Sequence, residues 1–302
     1  MRSWAIRISN LISVWRNLLV LDRRIEELAF RQAEIYFSGP HFQQLENFSD
    51  AGLKVFSQWD EDGKINWLVK KLKITTHTFV EFGVQDYAES NTRYLLMAKG
   101  WKGLVIDSSK RNCEKIRKAH YFWRTNLAVT QSFVTAENIN SLINESTCDG
   151  PIGLLSIDID GMDYYVWEAL NEVEPAIVIC EFNPRFSDDP FKKIVVPYSP
   201  EFDRTKAHHS NQYFGASLSA IVDLASRKGY RFVGLNSGHN NAFFAREELC
   251  IKYDLEREPI CAVELKFCDS RDLNGNLSYK HFELLGTRLP VVNLEKKAIE
   301  YL

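Results

Sequence analysis

The chain has 302 residues, 45% hydrophobic and 25% charged, with a formal net charge of −3. That is a globular composition with enough length for a large core, as one big domain or one domain with an appendage. The near-neutral balance excludes a nucleic-acid binder dominated by phosphate contacts, and no run of about eighteen apolar residues marks a membrane span.

The first segment has its own period. Leu11, Val14, Leu18, Leu21, Ile25, Leu28, Gln32 and Ile35 fall at alternating spacings of three and four, a heptad seam with one polar break. Two readings stay open for residues 1–45: a helix packed on its own domain, or a helical arm that makes a homodimer. Arg2, Arg7 and Arg16 near Trp4 and Trp15 add peripheral membrane contact as a further role. "SGP" at Ser38–Pro40 ends the helix. No long apolar region or small-residue cleavage site follows Arg2 and Arg7, so no signal peptide is expected.

From about Thr78, short apolar runs alternate with amphipathic segments, the pattern of parallel β and α units. "TFVEFG" reads as a strand, "ESNTRYLLMAKG" as a helix, "GLVIDSS" as a second strand and "KRNCEKIRKAHYF" as a second helix. "LAVTQSFV" is the third strand, and "TAENINSLINES" a helix with Thr135 as its N-cap. "IGLLSIDIDG" and "PAIVICEFN" flank the helix "DYYVWEALNEV" as the fourth and fifth strands. An irregular stretch then runs from about Pro184 to Tyr213, long enough to suggest a substrate lid. "GASLSAIVDLASRKG" is a helix, "YRFVGLNS" and "NAFFAREE" a hairpin, and the tail from Leu255 reads as irregular with a turn at "LNGN". Six cysteines (Cys113, Cys148, Cys180, Cys250, Cys261, Cys268) contain no CxxC pair, which points to a reduced, cytoplasmic protein.

In an open parallel sheet, ligands bind at the carboxyl ends of the strands. Those ends carry Glu81 with Gly83, Asp107, Glu137 with Asn138, Asp158 with Asp160, and Glu181 with Asn183. Acids at so many successive strand ends are unusual for turns chosen only for packing.

On these residues the chain resembles the class I S-adenosylmethionine-dependent methyltransferases, over roughly residues 78–248, and within them the FkbM-like bacterial enzymes that act on hydroxyls of sugars and natural products. The resemblance implies an α/β, Rossmann-like, doubly wound seven-stranded sheet over residues 46–302, with the N-terminal helical arm outside it. It implies that "VEFGVQDYAES", with Glu81, Gly83 and Ser90, touches the methionine part of S-adenosyl-L-methionine. Asp107 would hold the ribose hydroxyls, Glu137 and Asn138 the adenine edge, and Asp158 in "LLSIDIDGMD" would face the transferred methyl. The chain departs from the family where Gln85 and Tyr87 replace common glycines. The absence of G-x-G-x-x-G also counts against a dinucleotide cofactor.

Methyl transfer to a sugar or glycan hydroxyl calls for a base or a metal. Asp158, Asp160, Glu181 and Asn183 are candidate oxygen ligands for Mg2+. His208, His209 and Asp160 are candidate catalytic residues, the histidines because their pKa suits a base. His239 reads as a turn residue. Two rivals to methyl transfer are an inactive methyltransferase fold serving as a scaffold, and an NAD-dependent oxidoreductase.

Overall fold

A computed structural model describes residues 2–145, 150–186, 189–263, 266, 270–278, 284 and 286–302. Cys148 and Cys268, and residues 187 and 188 of the expected lid, lie outside the described residues. The chain divides into two compact units, Met1–Glu46 and Asn47–Leu302. The first is α1 (Arg2–Ser38) followed by α2 (Pro40–Gln43). Helix α1 stops where the sequence announces it, with Gly39 between the helices and Pro40 opening α2. Among the described residues, no helix is long and apolar enough to cross a membrane.

The second unit opens with α3 (Glu61–Lys71). Then come β1 (Thr78–Phe82), α4 (Arg93–Lys99), β2 (Lys102–Asp107), α5 (Lys110–Lys118), β3 (Leu127–Gln131), α6 (Ile139–Asn144), β4 (Leu154–Ile157), α7 (Asp163–Ala169) and β5 (Ile177–Glu181). After β6 (Ile194–Val195) and α8 (Arg204–Ala207) come α9 (Leu218–Arg227), β7 (Tyr230–Leu235), β8 (Asn241–Arg246) and α10 (Glu247–Lys252). The tail forms β9 (Pro290–Asn293) and β10 (Ala298–Tyr301).

Seven strands make one sheet in the order β3-β2-β1-β4-β5-β8-β7, the expected Rossmann-like α/β fold. The first five are parallel, and β8 is antiparallel to both β5 and β7. Strands β1, β4 and β5 are buried along their whole length, which is why they read as unbroken apolar runs rather than alternating ones. One face of the sheet packs through Leu155, Ile157 and Val178 against Trp167 of α7 and Ile221 and Leu224 of α9.

Three expectations change. Helix α6 starts at Ile139 with Asn138 as its N-cap position, because Asn138 Oδ1 accepts from Thr135 N and closes a turn ahead of the helix. The tail is not wholly irregular: β9 and β10 pair with β6 in a second, three-stranded antiparallel sheet. Helix α3 lies in a stretch to which no element is assigned from the sequence.

Asp62 on α3 organises the loop before it. One carboxylate oxygen accepts from the amides of Val55, Phe56 and Ser57 and from Ser57 Oγ, at 2.7–2.8 Å. Burial outweighs these bonds and raises its pKa from 3.8 to about 6. The folded state therefore binds this proton more tightly than the unfolded chain does. Its stabilising effect is complete below about pH 4 and is lost as pH rises through about 6, a difference of about 3 kcal/mol. Urea unfolding should show stability increasing from about pH 7 to about pH 5, with a visibly smaller increase in Asp62→Asn.

Candidate functional site

The chain places β2 and β3 on one side of β1, then crosses to lay β4 on the other. Strand order reverses between β1 and β4, which opens a crevice at their carboxyl ends. A cavity of about 1100 Å³ lies there, lined by residues from the loops after β1, β2, β3, β4 and β5 and from the segment around α8. Single-ligand sites span roughly 300–1,000 Å³, so this cavity lies just above the upper end of that range.

On the β1 side, Gly83 sits at φ +73 and its amide donates to Ile106 O at 2.9 Å. A Cβ there would lie 1.6 Å from the carbonyl oxygen of Asp158, so only glycine lets the β1 and β4 loops meet. Glu81 faces the start of α4. Its carboxylate accepts from Ser90 Oγ (2.5 Å), Asn91 N (2.9 Å), Thr92 N (3.2 Å) and Thr92 Oγ1 (2.5 Å). These bonds fix Ser90 and Asn91 in the cavity wall, while burial still pushes the Glu81 carboxyl up from its usual range. Gln85 and Tyr87, which stand where glycines are common, both adopt the left-handed conformation, with φ of 49 and 62. Buried Tyr87 shares a 2.8 Å hydrogen bond with Thr92 Oγ1, and Gln85 N donates to Asp107 Oδ2 at 2.8 Å. Side-chain anchors hold the loop in a shape that glycine reaches without them.

At the ends of β2 and β3, the expected ligand-holding residues have hydrogen-bond partners within the protein. Asp107 stands behind the wall: Oδ2 takes the Gln85 amide, and Oδ1 takes Ser109 N and Asn112 Nδ2 at 2.8 and 3.2 Å. Ser108 lines the cavity in its place. Glu137 is exposed and accepts from Tyr198 Oη at 2.5 Å, which holds its carboxyl below the usual range. Asn138 spends its side chain on Thr135 N and Phe133 O. Neither lines the cavity, because α6 begins too late to aim them inward. Phe133 from the same loop is half-exposed and does line it.

On the β4 and β5 side, Asp158, Asp160 and Glu181 each offer an oxygen within 4.8 Å of the others. Asp163 shapes this turn: its carboxylate accepts from Ile159 N and Gly161 N at 2.9 Å, with Asp160 between them at φ +59. Desolvation, then the neighbouring carboxylates, pushes Asp158 and Glu181 well above the usual carboxylate range. Glu181 Oε2 is buried with no hydrogen-bond partner. Arg204 on α8 faces the cluster, with Nη1 2.8 Å from Asp160 Oδ1, Nε donating to Asn211 O at 2.6 Å, and its guanidinium 3.8 Å over the Phe214 ring.

Asn183 lines the same cavity, with its side-chain amide engaged by the lid. Its Nδ2 donates to Gln212 O and Phe214 O, and its Oδ1 accepts from Arg185 N, so it ties both ends of the lid together. Phe202, packed where a Gly161 Cβ would be, lines the cavity, whereas Phe186 and Tyr213 are buried and Phe191 is exposed.

His208 and His209 do not line the cavity. Their ring centroids lie 4.2 Å apart with the planes tilted by 46°, and His208 Nδ1 is 2.8 Å from Ser210 Oγ, while Arg204, Lys206 and Gln212 on either side line the cavity. Burial and then His209 depress the His208 pKa. His208→Ala and His209→Ala should each keep kcat within about threefold of wild type, where loss of a general base costs 10²–10⁴-fold. His239 is a turn residue at φ +56, its amide donating to Asn236 O.

Sequence reading missed Asn91, Ser108, Phe133, Asp163, Arg204 and Phe214. Only Asp163, in an acidic run after a strand, carried a visible signal.

No family model matches the chain, and no curated protein matches it. Among solved structures it is similar to the N-terminal domain of EvdMO1 with SAH bound, at 13% identity over 74% of this chain and 96% of that one, TM-score 0.41. It is also similar to the O-methyltransferase from Bacillus cereus in complex with SAH, at 11% identity over 65% and 83%, TM-score 0.40. A third likeness is to an S-adenosylmethionine-dependent methyltransferase from Clostridium acetobutylicum, at 8% identity over 72% and 98%, TM-score 0.38. At these identities and scores, the likenesses assign no activity.

Proposed function

We propose that the chain is an S-adenosylmethionine-dependent methyltransferase of the FkbM-like kind, acting on a hydroxyl of a sugar or similar polyol. The observation that carries this reading is a single cavity at the β1/β4 switch point. It joins the Gly83 cradle and the Glu81-ordered wall to a carboxylate cluster under a lid. The antiparallel β8 between β5 and β7 supports it, because the dinucleotide-binding order runs parallel throughout. A buried Tyr87 stands in the loop after β1, where a dinucleotide-binding chain carries G-x-G-x-x-G to seat the pyrophosphate.

Bound S-adenosylmethionine would supply an activated methyl on a sulfonium. The Gly83 backbone, Ser90 and Asn91 suit its polar methionine end, and half-exposed Phe133 offers a flat face for an adenine. Asp158 and Glu181 then face the acceptor. A carboxylate here can take the hydroxyl proton, and burial together with the neighbouring acids makes each of these two a stronger base than a carboxylate in water. Phe202 and Phe214 give the acceptor apolar faces, and Arg204 and Gln212 give it hydrogen-bond donors.

Asp158, Asp160 and Glu181 also fit a hard divalent cation such as Mg2+, which would satisfy the orphaned Glu181 oxygen and polarise the acceptor oxygen. Mg2+ should raise the melting temperature of the wild type but not of Glu181→Gln.

Calorimetry with S-adenosylmethionine, SAH and NAD tests the reading. Saturable binding of the first two alone is expected. No S-adenosylmethionine binding up to about 1 mM would overturn it, leaving a scaffold, and NAD binding would indicate an oxidoreductase.

A further inference from the structure

We propose that α1 is the interface of a parallel, in-register two-stranded coiled coil between two copies of this chain. The folded chain leaves the helix's apolar seam in water: Val14 is 56% exposed, Leu18 52%, Leu21 52%, Ile25 56%, Leu28 66% and Ile35 73%. The face that the chain does bury lies elsewhere on the same helix. Ala33 and Phe37 are buried, with the Phe37 ring 4.8 Å from that of Phe42, and they point well away from the seam at about 100° per residue. Among the described residues of α1, the buried side chains and the exposed seam therefore lie on different sides of the helix.

The occupant follows from the pattern. Leu18, Ile25 and Gln32 repeat every seven residues, and so do Val14, Leu21, Leu28 and Ile35, which is the two-position seam of a coiled coil. At about 100 Å² per side chain, these apolar groups remove about 600 Å² per copy from water, near the lower bound of about 1,200 Å² for a specific pair. Gln32 selects the orientation. In a parallel pair each seam position meets its own counterpart, so the two Gln32 amides can hydrogen-bond. An antiparallel pair matched over the same length sets Gln32 against Val14 and strands the amide. The flanking pairs of the parallel register, Arg24 with Ala29 and Arg31 with Tyr36, contain no like charges. A lipid surface fits less well, because exposed Glu27 and Glu34 share the polar face with Arg23, Arg24 and Arg31.

Light scattering on the full chain tests this. Twice the chain mass is expected at about 10 μM, and Leu21→Glu with Leu28→Glu should return the single mass with the sheet's circular dichroism unchanged. Under mild oxidation, Gln32→Cys should cross-link the dimer. Arg23→Cys, on the outer face, and the wild type with its exposed Cys261 should not. A single-mass wild type overturns the proposal, and so does a dimer that survives the double substitution. A dimer that fails to cross-link through Gln32→Cys overturns the parallel register. A single-mass chain that pellets with phosphatidylglycerol vesicles overturns it in favour of a lipid surface.

Discussion

Gly83→Ala is expected to weaken SAH binding at least about tenfold and to destabilise the fold. Two independent costs combine. The residue occupies φ +73, where a side chain costs roughly 1–2 kcal/mol. The added Cβ would also sit 1.6 Å from a backbone oxygen of the Asp158 loop, which cannot swing aside as a side chain would. Relief requires the β1 and β4 loops to separate, and these loops carry Glu81 on one side and Asp158 on the other. A loss of about 3 kcal/mol or more in urea unfolding is expected, with SAH affinity falling at least about tenfold. An alanine variant with wild-type stability and binding would show that the two loops are not held together as described.

Glu181→Gln should lower activity without lowering stability. Its carboxylate lies within 4.8 Å of oxygens of two others, one of its own oxygens is unpartnered, and burial and its neighbours push its pKa well up. Replacing it with an uncharged amide of the same shape removes repulsion from the cluster. The melting temperature in metal-free buffer should therefore hold or rise, the signature of a group kept for function at a cost in stability. Turnover should fall by about 10²-fold or more, with SAH affinity within about threefold of wild type. A merely structural glutamate would instead show lower stability with turnover nearly intact.

The parts legible in the sequence were those written in local periodicity. Strands β1, β2, β4 and β5 announced themselves because burial on both faces requires unbroken apolar runs. The acids that close them stood out for the same reason. Residue type alone could not say where those acids point. Asp107 and Asn138 accept from backbone amides of their own loops, and that depends on loop geometry the sequence leaves open. Gln85 and Tyr87 looked like departures from a glycine-rich pattern, but they occupy the same backbone region because Asp107 and Thr92 tether them. Arg204 and Phe214 reach the cavity through a lid whose path is set by Asn183 and by distant strand pairing. Such contacts join residues far apart in sequence and leave no local pattern.

That pairing also has a consequence for the order in which the molecule is completed. The lid strand β6 pairs with β9, Leu294 N donates to Lys193 O, and Tyr213 Oη donates to Pro290 O. The wall built on Glu81, Ser90 and Phe133 needs only the first half of the chain to be synthesised, whereas the lid waits for residues near 290 and beyond. Because chains emerge from the N-terminus and long-range pairings close late, the two halves of the cavity mature at different times. A nascent chain passes through a stage with one wall of its cavity formed and the opposite side still open.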